Sequence, residues 1–588
     1  MSVRKLVFAA VAASLLFPLV PGVPTFWITL CNYIGLFSLV AVGLVLLTGV
    51  GGMTSFGQAA FVGFGAYTTA VLTLYYGFSP WLTVFASLAV TGLLALLLGL
   101  VTVRLSGHYL PLGTLAWGIA IFFLLGNTTY LGRYDGLFGI PPLTIAGVPL
   151  TGSREAYFVI WVCLAGAMLL TLNLLNSRAG RAIRALREGT QAAESCGVNT
   201  ARAKLVVFVY AALLAALSGW LYAHIQRAIS PGTFSIGAGI EYLLMAVIGG
   251  VGHVAGAVLG AAVVTILEDI LQDVLPALLG STGPYEIIVF GILLVVILQT
   301  APTGLSPLLA RLLPARQDPP PPAPAPALPQ RPKPARGAPL LELQSVRKAF
   351  GGLVAVNDVS FSVNSGEVVG LIGPNGAGKS TTFNMITGVI RPSSGEIRFL
   401  GERIDHLPAR AIAARGIGRT FQHVKLMPDM TVLDNVALGA HLRGQCGMLR
   451  GMLRLNREEE RRLRYEAARQ LERVGLADVM YRPAGSLALG QARLVEIARA
   501  LCLDPVLLLL DEPAAGLRYQ EKQKLAELLQ ALQAEGISIL LVEHDMQFVM
   551  GLADRLVVLD FGVKIAEGGR QEVRRNAAVQ EAYLGGVL

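Results

Sequence analysis

The stretch "VVGLIGPNGAGKSTTFNMITG", residues 368–388, combines an apolar strand, a glycine-rich loop and the start of a helix. Its loop has the spacing Gly373-x4-Gly378-Lys379-Ser380 that is typical of a phosphate-binding loop. Glycines let backbone N–H groups turn inward around an anion, and the helix that follows presents its positive end to it. We expect Lys379 to reach the β- and γ-phosphates and the Ser380 hydroxyl to ligate Mg²⁺. The predicted nucleotide-binding residues are Gly373, Pro374, Asn375, Gly376, Ala377, Gly378, Lys379, Ser380 and Thr381.

A second motif, "PVLLLLDEP" at residues 505–513, is an apolar strand that ends in two carboxylates. We expect Asp511 to hold the magnesium ion, directly or through water. Glu512 is then placed to orient or deprotonate the attacking water. Together with the phosphate-binding loop, this motif predicts a Mg²⁺-dependent nucleoside triphosphatase in the C-terminal part of the chain.

The composition divides the chain into two contrasting parts. At 588 residues it is too long for one domain, and 54% of its residues are hydrophobic while only 14% are charged. Residues 1–310 form long apolar blocks, whereas residues 340–588 mix charged and apolar residues as soluble domains do. The net charge of +9 is typical of basic loops beside membrane spans, so we expect no nucleic-acid partner. The five cysteines are scattered without a C-x-x-C pair, which supports neither disulfides nor a zinc site.

The N-terminal part predicts about eight to ten membrane spans, each of roughly 20 apolar residues. The first could instead be a signal peptide, but no A-x-A-like cleavage site follows it, which favours a retained span. The basic residues between positions 176 and 204 place that loop in the cytoplasm and the 128–155 loop outside. The candidate spans are 6–20, 28–48, 56–76, 80–102, 109–127, 156–174, 206–224, 240–255, 256–275 and 284–301.

Glycines recur within these spans at intervals that permit close helix packing. In "GHVAGAVLG", Gly252, Gly256 and Gly260 are four residues apart and fall on one helix face. The stretch "GVGGMTSFGQAAFVGFGAY", residues 49–67, is also rich in glycine. Two interpretations remain open: plain helix–helix packing, or an interrupted helix that lines a substrate path.

The stretch "QDPPPPAPAPALPQRPKPARGAP", residues 317–339, separates the two parts. Its prolines lack backbone donors and favour an extended polyproline conformation, so we expect no packed core. The predicted domains are a membrane domain at 1–313, a linker at 314–339 and a nucleotide-binding domain at 340–588. The linker is interpreted as a slack tether that could span roughly 65 Å.

The C-terminal part resembles the ATPase of ATP-binding-cassette transporters. The segments "GRTFQH", "SLALGQARLVEIARAL" and "LLVEHDM" follow the family's order of glutamine loop, signature and switch histidine. The resemblance implies that Gln422 and His544 contact the γ-phosphate, that Gln422 also joins the metal site, and that His544 shares the catalytic work with Glu512. It places Phe350 against adenine, and it presents the signature to ATP on a second cassette. The signature residues are Leu487, Ala488, Leu489, Gly490 and Gln491.

Two departures from that family pattern bear on activity. The common LSGGQ reads LALGQ here, so Ala488 lacks a hydroxyl and Leu489 replaces a glycine. The loop after Glu512 reads "PAAGLR", which puts Arg518 where many cassettes have aspartate. We expect the composite ATP site that uses this signature to be the weaker of two.

Both parts resemble one transport system, the importers of branched-chain amino acids. In the membrane part the resemblance is carried by "MTSFGQAAFVGFGAYTTA", "GRYDGLFGIPPL" and "MAVIGGVGHVAGAVLGA"; in the ATPase it is carried by "FGGLVAVNDVSF", "GIGRTFQ" and "EAYLG". Residues 177–224 are similar to the cytoplasmic coupling segment of such importers, although a solvated basic loop is the alternative. The coupling residues by that resemblance are Gln191, Ala192, Ala193 and Gly197.

The implied fold is a multi-span α-helical membrane domain fused to an α/β P-loop ATPase. The resemblance implies ATP-driven import across the cytoplasmic membrane with ATP and Mg²⁺ as cofactors and lipid around the spans. The implied partners are a periplasmic binding protein and a second permease and ATPase, either distinct chains or a second copy. Relatives of this architecture carry urea, short amides or aromatic acids, so those substrates stay open. An exporter of lipids or drugs, with about six long spans, and a regulatory ATPase, which needs one anchor, fit the span pattern less well.

Overall fold

The computed structural model describes residues 16–103, 105, 107, 109–250, 252–279, 286–300, 304–306 and 319–584. The chain divides into two compact units. The membrane unit comprises Met1–Asn176 with Ala201–Gln317, and the cassette unit comprises Ser177–Thr200 with Asp318–Leu588. A short piece from the middle of the N-terminal part therefore folds with the C-terminal part.

Within its described residues, the membrane unit contains seven helices that are long and apolar enough to cross a bilayer. They correspond to the predicted spans 28–48, 56–76, 80–102, 109–127, 156–174, 206–224 and 256–275. The first predicted span lies mostly outside the described residues. The predicted spans 240–255 and 284–301 correspond to shorter helices of 14 and 15 residues. The helices of this unit are α1 Thr25–Leu44, α2 Gln58–Tyr76, α3 Pro80–Thr102, α4 Tyr109–Asn127, α5 Ser153–Leu175, α8 Thr200–Gln226, α9 Ile236–Gly249, α10 Val254–Leu279 and α11 Glu286–Thr300.

Short elements complete this unit. A turn of π-helix, Val45–Val50, continues α1. Two antiparallel pairs of short strands lie in the connecting segments: β1 Leu137–Phe138 pairs with β4 Ala228–Ile229, and β2 Thr144–Ile145 pairs with β3 Val148–Pro149.

The glycine-rich stretches of this unit differ in their local structure. The chain leaves helical geometry between Val50 and Gln58, so the 49–67 stretch contains an interrupted helix. Elsewhere the glycines pack, because a Cβ on Gly256 or Gly260 would meet a backbone oxygen of α9 at 2.4 or 1.8 Å. Gly252 lies before α10 with φ of +98°, so the prediction of three glycines on one helix face is wrong for Gly252.

The cassette unit is built on two sheets. The strands are β5 Pro339–Phe350, β6 Leu353–Asn364, β7 Val368–Ile372, β8 Ser394–Phe399, β9 Glu402–Arg403, β10 Ile417–Arg419, β11 Leu507–Asp511, β12 Ser538–Val542, β13 Arg555–Asp560 and β14 Val563–Gly569. The larger sheet has the strand order β10-β11-β12-β7-β13-β14 and is parallel except for β14. The smaller sheet is antiparallel and has the order β6-β5-β8-β9.

The helices of this unit come from two parts of the chain. Those that follow residue 339 are α12 Lys379–Ile386, α13 Ala409–Ala414, α14 Val432–Gly439, α15 Met448–Met452, α16 Arg457–Arg473, α17 Leu489–Cys502, α18 Tyr519–Ala534, α19 Met546–Leu552, α20 Arg570–Arg575 and α21 Ala577–Leu584. α14 and α16 pack around a further core together with Val495, Ala498 and Cys502 of α17, a helix that also contributes to a core covering the larger sheet. From the middle of the N-terminal part come α6 Arg178–Glu188 and α7 Thr190–Ser195.

The proline-rich segment is extended, as the sequence predicts, but it is not free. The hydroxyl of Tyr481 donates to the carbonyl of Pro320, and that of Ser365 donates to Pro334. Leu328, between these points, is buried in the core of α14 and α16. The prediction of a slack tether is therefore wrong for residues 320–337. Proline-rich composition has the same appearance in a free and in a bound extended chain, so composition could not distinguish the two.

Candidate functional site

The phosphate-binding loop lies between the central strand β7 and helix α12. Gly373 and Gly378 have φ of +149° and +93°. A Cβ on Gly373 would lie 2.1 Å from the carbonyl oxygen of Leu559, and one on Gly378 would lie 2.5 Å from that of Ala355. A side chain at either position would clash with these carbonyl oxygens and displace the loop. Glycine is therefore required at both positions for steric reasons as well as for its backbone conformation.

Lys379 is the first residue of α12 and is only 6% exposed. Its Nζ donates to the carbonyl oxygens of Gly373 and Pro374, both at 2.8 Å. Burial lowers the pKa of the ammonium group, and the nearby Glu512 and Asp511 oppose that shift. The lysine thus holds a positive charge at the base of the loop, where phosphate oxygens would compensate its desolvation.

Parallel strand pairing brings the second motif to the same edge of the sheet. β11 and β7 both pair with β12, and Asp511 and Leu371 are both registered on Val542. The carboxyl ends of parallel strands meet at one edge, which is where open α/β sheets bind ligands. The loop after β7 and the carboxylates after β11 therefore converge although some 130 residues separate them in sequence.

Asp511 is 4% exposed, and its Oδ1 has no hydrogen-bond partner among the described residues. Burial raises the pKa of this carboxyl, with Arg419 opposing the shift. A buried carboxylate oxygen that lacks a donor is unfavourable alone, and a hard cation would satisfy it. Asp511 and the Ser380 hydroxyl therefore fit a magnesium ion.

Glu512 adopts a left-handed backbone with φ of +49°. Its Oε1 accepts from Gln422 Nε2 at 3.1 Å and lies 2.9 Å from His544 Nε2. Its carbonyl oxygen accepts from Arg493 Nη1 at 2.6 Å. A strained conformation held from three sides is typical of a positioned functional residue.

Several of these groups line a cavity of about 200 Å³. The structure brings together in its walls the loop from Asn375 to Thr381 with Gln422, Glu512 and His544. A pocket that combines a phosphate-binding loop, buried acids and a paired histidine can bind and hydrolyse a nucleoside triphosphate.

Of the predicted site residues, Gly373, Pro374 and Asp511 do not line that cavity, and two further groups lie outside it. Phe350 is 48% exposed, and Lys348 Nζ lies 5.1 Å from its ring centroid. The signature forms the start of α17, where Leu489 is 55% exposed and Gln491 accepts from the N–H of Ala488. Neither group lines the cavity of its own chain.

Three residues of the site were missed in the sequence analysis. Thr420 Oγ1 accepts from the N–H of Asp511 at 3.2 Å, and buried Glu543 accepts from the N–H of Ala514. Arg493 bridges Glu512 and Gln422 through their carbonyl oxygens. Thr420, Arg493 and Glu543 lie inside the quoted segments "GRTFQH", "SLALGQARLVEIARAL" and "LLVEHDM", so their place within these motifs was the available signal.

A second candidate site is the face on which residues 177–200 dock. Arg181 of α6 is 1% exposed, and its Nη1 and Nη2 donate to the two carboxylate oxygens of Glu460 at 2.7 and 3.3 Å. Asp434 Oδ1 lies 3.9 Å from Arg181 Nη1. Burial raises the pKa of Asp434, but Arg464, Arg181 and Arg184 outweigh it and the pKa is lowered. A bidentate, buried guanidinium of this kind fixes both position and orientation.

Arg178 extends this docking network. Its guanidinium donates to the carbonyl oxygens of His441 at 2.6 Å and Cys446 at 2.9 Å, and its N–H donates to Glu460. Burial, with Arg178 and Arg181 adding to it, lowers the pKa of His441 to about 3. His441 is therefore neutral near pH 7 and adds no further positive charge to the arginines of this network.

The predicted coupling residues sit beside this network in different environments. Ala192 and Ala193 are buried, and Ala193 joins an apolar core with Met427 and Met430, a few residues after Gln422. Gly197 has φ of +83°, and a Cβ there would meet the side chain of Leu442. Gln191 is exposed and does not face this core.

Comparisons with known proteins cover both units. A family described as the permease component of the branched-chain amino acid transport system matches residues 26–298, and the ABC transporter family matches residues 356–515. A family described as branched-chain amino acid ATP-binding cassette transporters matches residues 563–587. The high-affinity branched-chain amino acid transport ATP-binding protein BraF of Pseudomonas aeruginosa is 43% identical over 250 residues, which are 42% of this chain and 98% of that protein.

The chain belongs to the branched-chain amino acid ABC transporter family.

Further relatives match the ATPase of this transporter chain. LivG of Escherichia coli K12 is 42% identical over 250 residues, again 42% of this chain and 98% of that protein. A solved ATP-binding cassette of an ABC transporter, in its ADP conformation, shares 34% identity with a TM-score of 0.38; the match covers 42% of this chain and 99% of that one.

The two resemblances seen in the sequence are confirmed, as is the fused arrangement of a helical membrane permease and a P-loop ATPase. The transporter chain binds and hydrolyses ATP, and it is a membrane protein whose ATPase is cytoplasmic. The architecture is that of a transporter built from several subunits.

Proposed function

We propose that this chain imports branched-chain, hydrophobic amino acids across the cytoplasmic (inner) membrane. Residues 1–313 supply one permease and residues 340–588 one ATPase. The observation that carries the proposal is the match of both halves of one chain to components of the same transport system. The named relatives are branched-chain amino acid transport proteins, which supports this substrate class.

Transport in this proposal is driven by Mg²⁺-dependent hydrolysis of ATP. Ser380, Asp511 and Gln422 hold the magnesium ion, and Lys379 with the loop amides binds the phosphates. Glu512 takes the proton of the attacking water, and His544 contacts the γ-phosphate and orients Glu512. The distance of 2.9 Å between Glu512 and His544 supports this pairing, and the buried, unpartnered Asp511 oxygen supports the metal.

The ATPase acts as a pair. The signature, Leu487–Gln491, lies outside the cavity of its own chain and exposes Ala488 and Leu489, which supports a role on ATP held by a second cassette. Phe350 is exposed at the end of β5 and is available to stack on adenine. Ala488, Leu489 and Arg518 weaken the composite site to which this signature contributes.

The partners proposed are a second permease, a second ATPase and a periplasmic substrate-binding protein. Distinct chains are favoured over a second copy of this one. Residues 177–200 transmit the effect of ATP binding to the permease, because they belong to the cassette unit while both ends continue into membrane helices.

Uptake assays test this function. Cells that express the chain with its neighbouring permease, ATPase and binding-protein genes should accumulate labelled leucine, isoleucine or valine, and the Glu512→Gln variant should not. Uptake of urea, a short amide or an aromatic acid in place of leucine would overturn the substrate proposal and leave the ATPase intact. Uptake without a binding protein would overturn the importer arrangement.

A further inference from the structure

The ATPase of this chain has two lobes. The sheet lobe is formed by the two sheets and their covering helices, and the helical lobe by α14 and α16 with the loops at 426–487. Helix α17 contributes side chains to the cores of both lobes. Gln422 lies in the segment that joins them: Thr420 pairs with Leu509 of β11, and Leu426 packs in the helical lobe. A rotation of one lobe against the other therefore changes the distance from Gln422 to Glu512. Domain closures of this kind complete catalytic sites in many enzymes.

The extended segment 320–337, called here the strap, touches both lobes. Its first half is anchored on the helical lobe. Tyr481 Oη donates to Pro320 O at 2.7 Å, and Arg443 Nη2 donates to the carbonyl oxygens of Leu328 and Pro329 at 3.3 and 3.1 Å. The Leu328 side chain is 6% exposed within the helical core.

Its second half is anchored on the sheet lobe. Arg331 Nη1 donates to Ala414 O at 2.7 Å, and its backbone N–H donates to Asp504 Oδ2 at 2.5 Å, just before β11. Lys333 Nζ donates to Glu535 O at 3.3 Å, after α18. Ser365, which follows β6, donates to Pro334 O at 3.0 Å.

The change of lobe occurs within very few residues. Pro329 is held on the helical lobe, and Arg331, two positions later, on the sheet lobe. Consecutive residues of an extended chain span at most about 3.6 Å each. A polyproline-type chain has fixed φ at every proline and little slack, so it cannot lengthen as the lobes separate or turn.

We propose that the strap is an intramolecular latch that holds the two lobes in their present arrangement and thereby limits ATP turnover in the absence of transport substrate. In that arrangement Gln422 and His544 both engage the carboxylate of Glu512. Lobe motion has to break the anchors at Leu328 or at Arg331. The latch acts on the ATPase itself, so it holds whichever substrate the permease carries.

The test uses the full-length chain in lipid nanodiscs with the subunits that co-purify with it. Leu328→Ser with Arg331→Pro removes one anchor on each lobe. Proline at 331 keeps the extended backbone while it deletes the N–H and the guanidinium. ATP turnover without substrate should rise about three- to tenfold, the range expected when one or two hydrogen bonds are lost. The matched control is Gln330→Ala, an exposed side chain between the anchors, which should not change turnover.

A second variant keeps every anchoring side chain and removes the stiffness. Pro332→Gly with Pro334→Gly leaves the carbonyl that Ser365 binds, and it should raise substrate-free turnover by a smaller factor. The melting temperature of each double variant is measured alongside its turnover and should match that of the wild type. Turnover that stays at the wild-type level or falls in both variants would overturn the latch.

Discussion

The ATP site and the face that docks residues 177–200 are both polar and both functional, yet they are built differently. The ATP site gathers its groups from short motifs at the carboxyl ends of neighbouring parallel strands, and backbone geometry supplies much of it. The docking face gathers long side chains whose partners lie more than 240 residues away, such as Arg181 and Glu460. A site built from the backbone of short continuous segments can be predicted from a sequence motif. A site built from charged pairs cannot, because the two partners are far apart in sequence and only the fold brings them together.

The largest expected effect is at the motif site. Glu512→Gln should lower ATP turnover by about 10²- to 10⁴-fold, the usual contribution of a general base, while ATP binding is retained. Turnover and nucleotide binding are measured separately on the assembled transporter. Glu527→Gln, an exposed carboxylate on α18, is the matched control and should leave turnover unchanged. A Glu512→Gln protein with full turnover would remove the proposed base.

The next effect is at the docking face. Arg181→Ala removes the bidentate partner of the partly buried Glu460 carboxylate and leaves it the N–H of Arg178, the amide of Asn456 and the more distant Arg464. The loss should cost about 2–3 kcal/mol of stability. The chain should lose substrate-stimulated turnover and keep its basal rate, since Arg181 is absent from the ATP cavity. Arg187→Ala, whose partner Asp429 is 80% exposed, should change stability by less than about 0.5 kcal/mol.

A double-mutant cycle sharpens this prediction. Arg181→Met combined with Glu460→Leu removes both charges and should be less destabilised than either single variant. Additive losses would mean that the two residues act independently, against the bidentate contact in the structure.

A smaller effect is expected at Gly197, where the docking face depends on backbone conformation as the phosphate loop does. Gly197→Ala should destabilise the chain by about 1–2 kcal/mol, because φ is +83° and the new methyl group meets Leu442. Thermal unfolding and substrate-stimulated turnover measure it. Gly447→Ala has free space and an ordinary φ of −79°, so it serves as the control. Equal melting temperatures for the two variants would show that the Gly197 turn is dispensable.

The smallest effect is a dependence on pH at the docking face. His441 takes up a proton near pH 6.5 in the unfolded chain but only near pH 3 in the folded one. The unfolded state therefore binds more protons between these values, and stability falls as the pH drops below about 6.5, by at most about 1.4 kcal/mol per unit. His441→Asn should flatten the melting temperature between pH 7.5 and 5.5. If the His441→Asn variant keeps the wild-type dependence of melting temperature on pH, groups other than His441 cause that dependence.

Much of the ATP site could be predicted from the sequence, and less of the docking face. The phosphate-binding loop and the strand that ends in two carboxylates are local patterns, and they predict Lys379, Asp511 and Glu512 as site residues. Parallel pairing of the strands then brings these residues to the same edge of the sheet. For the coupling residues, buried Ala193 and the turn at Gly197 are on the docking face, whereas Gln191 is exposed. Arg181 was counted only as a basic residue of a cytoplasmic loop, since nothing near it in sequence identifies Glu460 as its partner.

By itself the sequence determined the apolar spans, the nucleotide loop and the division into permease and ATPase, because each depends on residues close together in the chain. Only the tertiary structure decided that residues 177–200 fold with the cassette and that the proline-rich segment lies across its two lobes. The physical reason is the same in both cases. Backbone carbonyls and charged side chains look alike whether they face water or a partner, and only the fold places a partner against them.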